Sequence, residues 1–194
     1  MTKPLSEMTN AELWALFPVN LERHNPAWAE RYARERERIA RALGWENIRR
    51  ISHIGSTAVP GLVAKPTIDI LLEIADGCDL ARLNAALTSD GYIFSAQPDK
   101  PPPHMMWMKG YTPQGFAGQA YHLHVRYGGD WEELYFRDWL IANRCAAEAY
   151  GRLKERLKRE YAHDRDAYTA GKAQFVREGT ALARGQFEAR HLPH

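Results

Sequence analysis

Apolar positions recur at two different spacings along this chain, and the spacing changes once. Up to residue 128, short apolar runs of strand character alternate with helical stretches; after Gly128 and Gly129 the helical period holds almost throughout. "TNAELWALF" predicts a short first helix capped by Thr9 or Asn10. "HNPAWAERYARERERIARALG" predicts a second, with Asn25 as N-cap, Pro26 at the first helical position and Gly44 as the stop. Trp28, Tyr32, Ile39 and Leu43 gather on one face of that helix, so it must pack on something. "IRRISHI" predicts a strand, "GSTAVPGLVAKP" an irregular loop, and "TIDILLEI" a strand apolar enough for the middle of a sheet. "CDLARLNAALTSDG" reads as a helix, "YIFSA" as a strand and "QPDKPPP" as a loop, because consecutive prolines cannot join a ladder. "HMMWMKG" and "AYHLHVRY" predict antiparallel strands joined through "YTPQGFAGQ", a hairpin with a long tip.

In the helical remainder, expected to form two or three helices, Ala146, Ala149, Tyr150, Leu153, Leu157 and Tyr161 make one stripe. The pattern predicts an α+β fold, a mixed β-sheet with flanking helices and a C-terminal helical segment. It is expected as a single domain over 1–194, with an N-terminal extension to residue 20, a sheet core over 21–128 and C-terminal helices over 129–190.

Composition then narrows the function classes. A chain of 194 residues, 45% hydrophobic and 26% charged, can bury a proper core and has no disorder signature. Its 26 Lys and Arg against 24 Asp and Glu give +2, no electrostatic case for a polynucleotide partner, though a small anion is still accommodated. Cys78 and Cys145 stand in no metal-ligand spacing and fit a reducing compartment. No apolar run approaches the roughly 20 residues that span a bilayer, and the first thirty residues lack a leader pattern. A cytoplasmic location with no membrane partner is expected.

The candidate chemistry lies in "ISHIGSTAVPGLVAKPTIDILLEI", residues 51–74. Gly55 and Ser56, with Thr57 beside them, can bring backbone N–H groups and hydroxyls close to a phosphate. Asp69 follows on an otherwise apolar strand, where an unpaired carboxylate facing a dry core would be costly, so it must face a cleft. A strand, a Gly-Ser loop and a strand bearing aspartate is the order of elements in nucleotidyltransferases of the polymerase-β type. Those enzymes hold triphosphate on the loop and divalent metal on carboxylates.

Longer blocks carry a more specific likeness. "HNPAWAERYARE", "RISHIGSTAVPGLVAKPTIDILLEI", "YHLHV", "LYFRDWLIAN", "YGRLKERL" and "DRDAYTAGKAQFV" resemble, in this order, successive blocks of the GrpB-like family across roughly residues 20–178. The resemblance implies the nucleotidyltransferase fold, and also a likeness to the segment fused to some dephospho-CoA kinases. Active polymerase-β-type enzymes carry a second carboxylate two residues after the first, where this chain has Leu71. Glu73 would lie about 13 Å from Asp69 along the strand, too far for one ion. His122 and His124, two apart on a later strand, point to one face about 7 Å apart and could complete a metal site with Asp69. Mg, Mn, Fe or Zn would serve, the imidazoles favouring metals softer than Mg.

Weaker candidates complete the set. Lys65 could contact phosphate or be a surface lysine before Pro66; His53 could line the cleft, and Arg126 could clamp an anion or be a strand-end residue. Arg137 and Asp138 are expected to pair with each other or with the domain's interior, Lys172 to reach the cleft from the last helix, and Trp107, Trp131, Tyr135 and Trp139 to stack a base or fill the core. The leading expectation is a metal-dependent nucleotidyltransferase moving a nucleotidyl group from a nucleotide triphosphate to a small-molecule or protein acceptor. Behind it stand a degenerate nucleotide- or anion-binding module and a metal-dependent phosphohydrolase.

Overall fold

The computed structural model describes residues 3–97, 100 and 103–192. Its strands are β1 (Ile48–Ile54), β2 (Thr67–Ile74), β3 (Ile93–Ser95), β4 (Met105–Thr112) and β5 (Gly115–Tyr127). Its helices are α1 (Asn10–Leu16), α2 (Ala27–Leu43), α3 (Leu80–Ser89), α4 (Glu132–Ala142), α5 (Arg144–Glu160), α6 (Arg165–Ala170) and α7 (Ala173–Phe187). Together they make the α+β arrangement expected, in the strand order β1-β2-β5-β4-β3. β2 runs antiparallel to β1 and parallel to β5, while β4 is antiparallel to both of its neighbours.

Local signals explain most boundaries. Thr9 and Glu12 close a capping box on α1. Asn25 Oδ1 accepts the Ala27 N–H at 3.0 Å, so α2 starts one residue later than expected, with Pro26 at its N-cap. Gly44 ends α2 at φ +83°. The alternation in β2 then sorts the molecule into two faces. Ile68, Ile70, Leu72 and Ile74 are fully buried in the main core with Trp28, Ile39 and Leu43 of α2 and Leu83 and Leu87 of α3. Each such isoleucine is worth about 2 kcal/mol of burial. Asp69, Leu71 and Glu73 take the opposite face, toward the C-terminal helices.

Three expectations need correction. The hairpin has a two-residue tip at Pro113 and Gln114, because Gly115 (φ +110°) and Gly118 (φ +71°) are absorbed into β5 and the register shift between Lys109 and Tyr111 into β4. Four helices follow the sheet, since breaks at Asn143, Tyr161–Asp164 and Gly171 divide the helical pattern. The buried stripe of α5 is Ala147, Tyr150, Gly151, Lys154 and Leu157, whereas Tyr161 is exposed beyond its end. Of the proline loop, Pro98, Asp99, Pro101 and Pro102 lie outside the described residues. Among the described residues no helix is long and apolar enough to cross a membrane.

Candidate nucleotide-binding site

The site is a product of strand register. Asp69 pairs with His122 across the parallel β2–β5 ladder, and Leu71 pairs with His124. Positions 69, 71 and 73 share a face but not a fate. Leu71 is fully buried against Ile54 and Leu134. Glu73, also buried, takes the Arg50 guanidinium and the Gly129 N–H at 3.1 Å, a structural clasp. Asp69 keeps 28% of its side chain exposed and lines a cleft of about 640 Å³.

Gly55 shapes the approach to that carboxylate. At φ +70° and ψ −172° it occupies a region essentially reserved for glycine, and a Cβ there would lie 3.0 Å from Asp69 Cγ. Gly55→Ala is therefore expected to displace Asp69 and to cost about 1–3 kcal/mol, read as a lower urea midpoint at unchanged m-value. The rest of the loop divides its labour. Thr57, expected to touch phosphate, is turned inward: its hydroxyl donates to Thr67 O at 3.2 Å and receives His53 Nε2–H at 3.0 Å. His53 stacks on Tyr32 at 4.7 Å. Burial, with Arg137 and His24 adding and Asp69 opposing, pushes its pKa down to about 4, so the ring is neutral and holds the loop. Ser56 points outward to Lys154 Nζ at 3.0 Å.

Asp69 is held by imidazoles. Burial alone would raise its pKa, but the bonds from His122 and His124 outweigh it and keep the carboxylate well below the usual range. His122 Nδ1 donates to Asp69 Oδ1 at 3.2 Å, and its Nε2 accepts the Tyr111 hydroxyl at 2.7 Å. Burial lowers the His122 pKa despite Asp69, leaving a neutral ring. His124 Nε2 stands 3.7 Å from the same Asp69 oxygen and lines the cleft.

Asp69, His122 and His124 offer the donor chemistry a divalent ion wants, yet as placed they form a hydrogen-bonded cluster. Both ring nitrogens of His122 are engaged, and among the described residues no group of three or more His, Cys, Asp or Glu is arranged to hold a metal. The residues do not fit a chelated ion as they stand.

Positive charge is plentiful instead. Lys154 is buried, donates to Ser56 Oγ and to Val63 O, and lies over the Tyr150 ring at 4.7 Å. Burial first, then Lys172 and Lys65, pushes its pKa down to about 7. Lys172, the N-cap residue of α7, and Lys65 lie over Tyr168 at 4.4 and 5.7 Å. Burial and Lys65 bring the Lys172 pKa down to about 8; burial and Arg165 lower that of Lys65. Asp69 is the carboxylate that opposes both. Lys65 and Lys172 are thus coupled electrostatically to Asp69 and to Lys154, while neither lines the cleft itself.

Arg126 is not a free clamp. It is buried, its two terminal nitrogens held by Glu133 at 2.7 and 3.0 Å, and it lies over Trp131, so it forms part of the cleft wall. Arg137 and Asp138 pair at 2.6 Å as expected, and Arg137 also donates to His53 O at 3.0 Å. Trp131 lines the cleft with Tyr150 and Phe136; Trp107 and Tyr135 are core. Lys154 is the residue that sequence reasoning missed. Its one signal is its place at the helical spacing of Ala147, Tyr150, Gly151 and Leu157.

The family described as GrpB protein matches residues 18–181. The chain belongs to the GrpB family. That family lies within the nucleotidyltransferase-like superfamily. A UPF0157 protein of Pseudomonas aeruginosa is 43% identical over 82% of this chain, which spans 66% of that relative's length. The glutamate-rich protein GrpB of Alkalihalophilus pseudofirmus is 31% identical over 82% of this chain and 92% of its own. Among solved structures, the conserved protein GrpB from Enterococcus faecalis superposes with a TM-score of 0.74 at 25% identity, covering 87% of this chain and 99% of that one. The GrpB fold thus brings Gly55, Ser56, Asp69, His122, His124, Lys65, Lys154 and Lys172 around one end of β2.

Proposed function

We propose that the cleft binds the phosphates of a nucleoside triphosphate and presents the nucleotide to an acceptor hydroxyl for nucleotidyl transfer. The observation that carries the reading is Lys154 donating to Ser56 Oγ behind the Gly55–Ser56 turn, with Lys172 and Lys65 near enough to depress its pKa and Asp69 opposing those two. Three lysines held this way gain most from an anion that restores their charge. The cleft volume suits a nucleotide, and Trp131, Phe136 and Tyr150 offer apolar walls for a base.

In the transfer step the acceptor oxygen bonds to the α-phosphorus and the α–β bridging P–O bond breaks. Pyrophosphate leaves with the electron pair, and the acceptor proton passes to His124, the half-buried imidazole beside Asp69 that lines the cleft. The lysines neutralise the leaving group. A second reading, binding without turnover, is favoured by Leu71, whose burial fills the place of the usual second carboxylate.

Calorimetric titration with ATP in two buffers of different ionisation enthalpy tests the binding. Lysines with lowered pKa values take up protons when an anion arrives, so uptake is expected near pH 8 and affinity should fall as pH rises from 7 to about 9. Lys172→Gln should weaken ATP about tenfold and reduce the uptake. No binding at millimolar ATP, or binding indifferent to Lys172→Gln, would overturn the reading. Pyrophosphate release separates transfer from mere binding.

A further inference from the structure

A second cleft, of about 400 Å³, opens on the other side of the Lys65–Tyr111 wall, between the N-terminal segment and the sheet. Three cations line it: Arg31, Lys65 and Arg165. Among the described residues none of the three has a carboxylate within ion-pair distance. Arg31 is steadied by a neutral partner, Gln119 Oε1, at 2.6 Å. Glu22 is the acidic residue on this wall. Phe17, Tyr111 and Phe116 meet at ring-centroid distances of 5.0–5.1 Å and supply an apolar side.

An independent feature sits in the same wall. Trp28 is fully buried and lines this cleft, yet its indole N–H has no partner among the described residues, nor has Nδ1 of the neighbouring His24. A buried donor left unpaired costs about 1–3 kcal/mol, which a bound group can recover. Unpaired cations, an aromatic wall and an orphaned donor together describe a ligand site.

We propose that this cleft binds a small anion, a carboxylate or phosphate monoester carried on an apolar or ring-bearing body, distinct from the nucleotide. Arg165 and Arg31 would take the anionic group and the Phe17–Phe116 side the ring. The site touches the first one chemically. Tyr111, on this wall, bonds His122, and His122 bonds Asp69, so a hydrogen-bonded chain runs from this cleft to Asp69. The proposal does not depend on nucleotide transfer.

The test is an NMR titration of the Trp28 indole N–H resonance, assigned through Trp28→Phe, with phenyl phosphate, benzoate and neutral benzyl alcohol as probes. Saturable shifts with phenyl phosphate or benzoate are expected, the tighter probe identifying the preferred anionic group. Arg165→Gln should weaken that probe about tenfold, and Lys172→Gln should leave it unchanged. The proposal is overturned by an unmoved resonance at millimolar anion, by equal shifts with benzyl alcohol, by indifference to Arg165→Gln, or by loss in Lys172→Gln. ATP affinity is measured separately on the same samples, so failure here and failure of the nucleotide reading give different results.

Discussion

Lys154→Met is expected to make the protein more stable and to lose the nucleotide. The lysine is 2% exposed, and its pKa near 7 lies far below the ordinary 10.5. The unfolded chain therefore binds the proton more readily than the folded one between those values. Stability should rise with pH from about 7 to 10.5, and the penalty is fully present below 7. Lys172 and Lys65 face the ammonium with like charge, and only Glu155 offsets them. The shift is worth a few kcal/mol. Losing the bonds to Ser56 and Val63 returns about 1–3 kcal/mol of that, leaving a net gain of about 2 kcal/mol for the methionine variant at pH 6. Urea unfolding at pH 6 and pH 10 should show the gain shrinking at the higher pH. ATP affinity at pH 7 should fall about a hundredfold, within the 2–5 kcal/mol that loss of a buried charge contact costs. A variant less stable than wild type at pH 6 would contradict the account.

Leu71→Asp, which restores on paper the second carboxylate of a polymerase-β-type site, is expected to unfold the protein. Leu71 has no exposed surface and packs on Ile54 and Leu134, with Trp131 against the same cluster. A carboxylate there would be desolvated without a cation, a cost of more than about 4 kcal/mol against a typical total stability of about 5–15 kcal/mol. Because burial raises the pKa of such a group, the loss should be greatest above pH 4 and partly relieved in acid. Thermal unfolding followed by circular dichroism at pH 4 and pH 7 checks both statements. A wild-type midpoint at pH 7 would show that the pocket over Leu71 accepts charge.

What could be read from the sequence depended on whether a residue's role followed from local period. β1 and β2 have the bounds that their apolar runs predicted, and the period of two brought Asp69, His122 and His124 to one face. That Thr57 and Arg126 spend hydroxyl and terminal guanidinium nitrogens on Thr67 and Glu133 could not be read locally, because those partners lie elsewhere in the chain. Lys154 was invisible for the opposite reason. In "RLKERLKRE" it looks like one more solvated charge, and only the packing of α5 on the Gly55–Pro66 loop buries it. Tyr111 escaped notice because only its bond to His122, on the neighbouring strand, ties it to Asp69.

The parallel pairing of Asp69 with His122 also has a bearing on how the chain folds. The two residues are 53 apart in sequence, and no hairpin leads one strand to the other. Closing such a ladder is entropically slow, so it belongs late in folding, after α2 and the β1–β2 and β4–β5 hairpin-like pairs have formed. Until it closes, the carboxylate has no imidazole beside it and the lysines have no turn to meet. Affinity for a phosphate would thus emerge together with the last step of chain assembly, and a fluorescent nucleotide would serve as a clock for it.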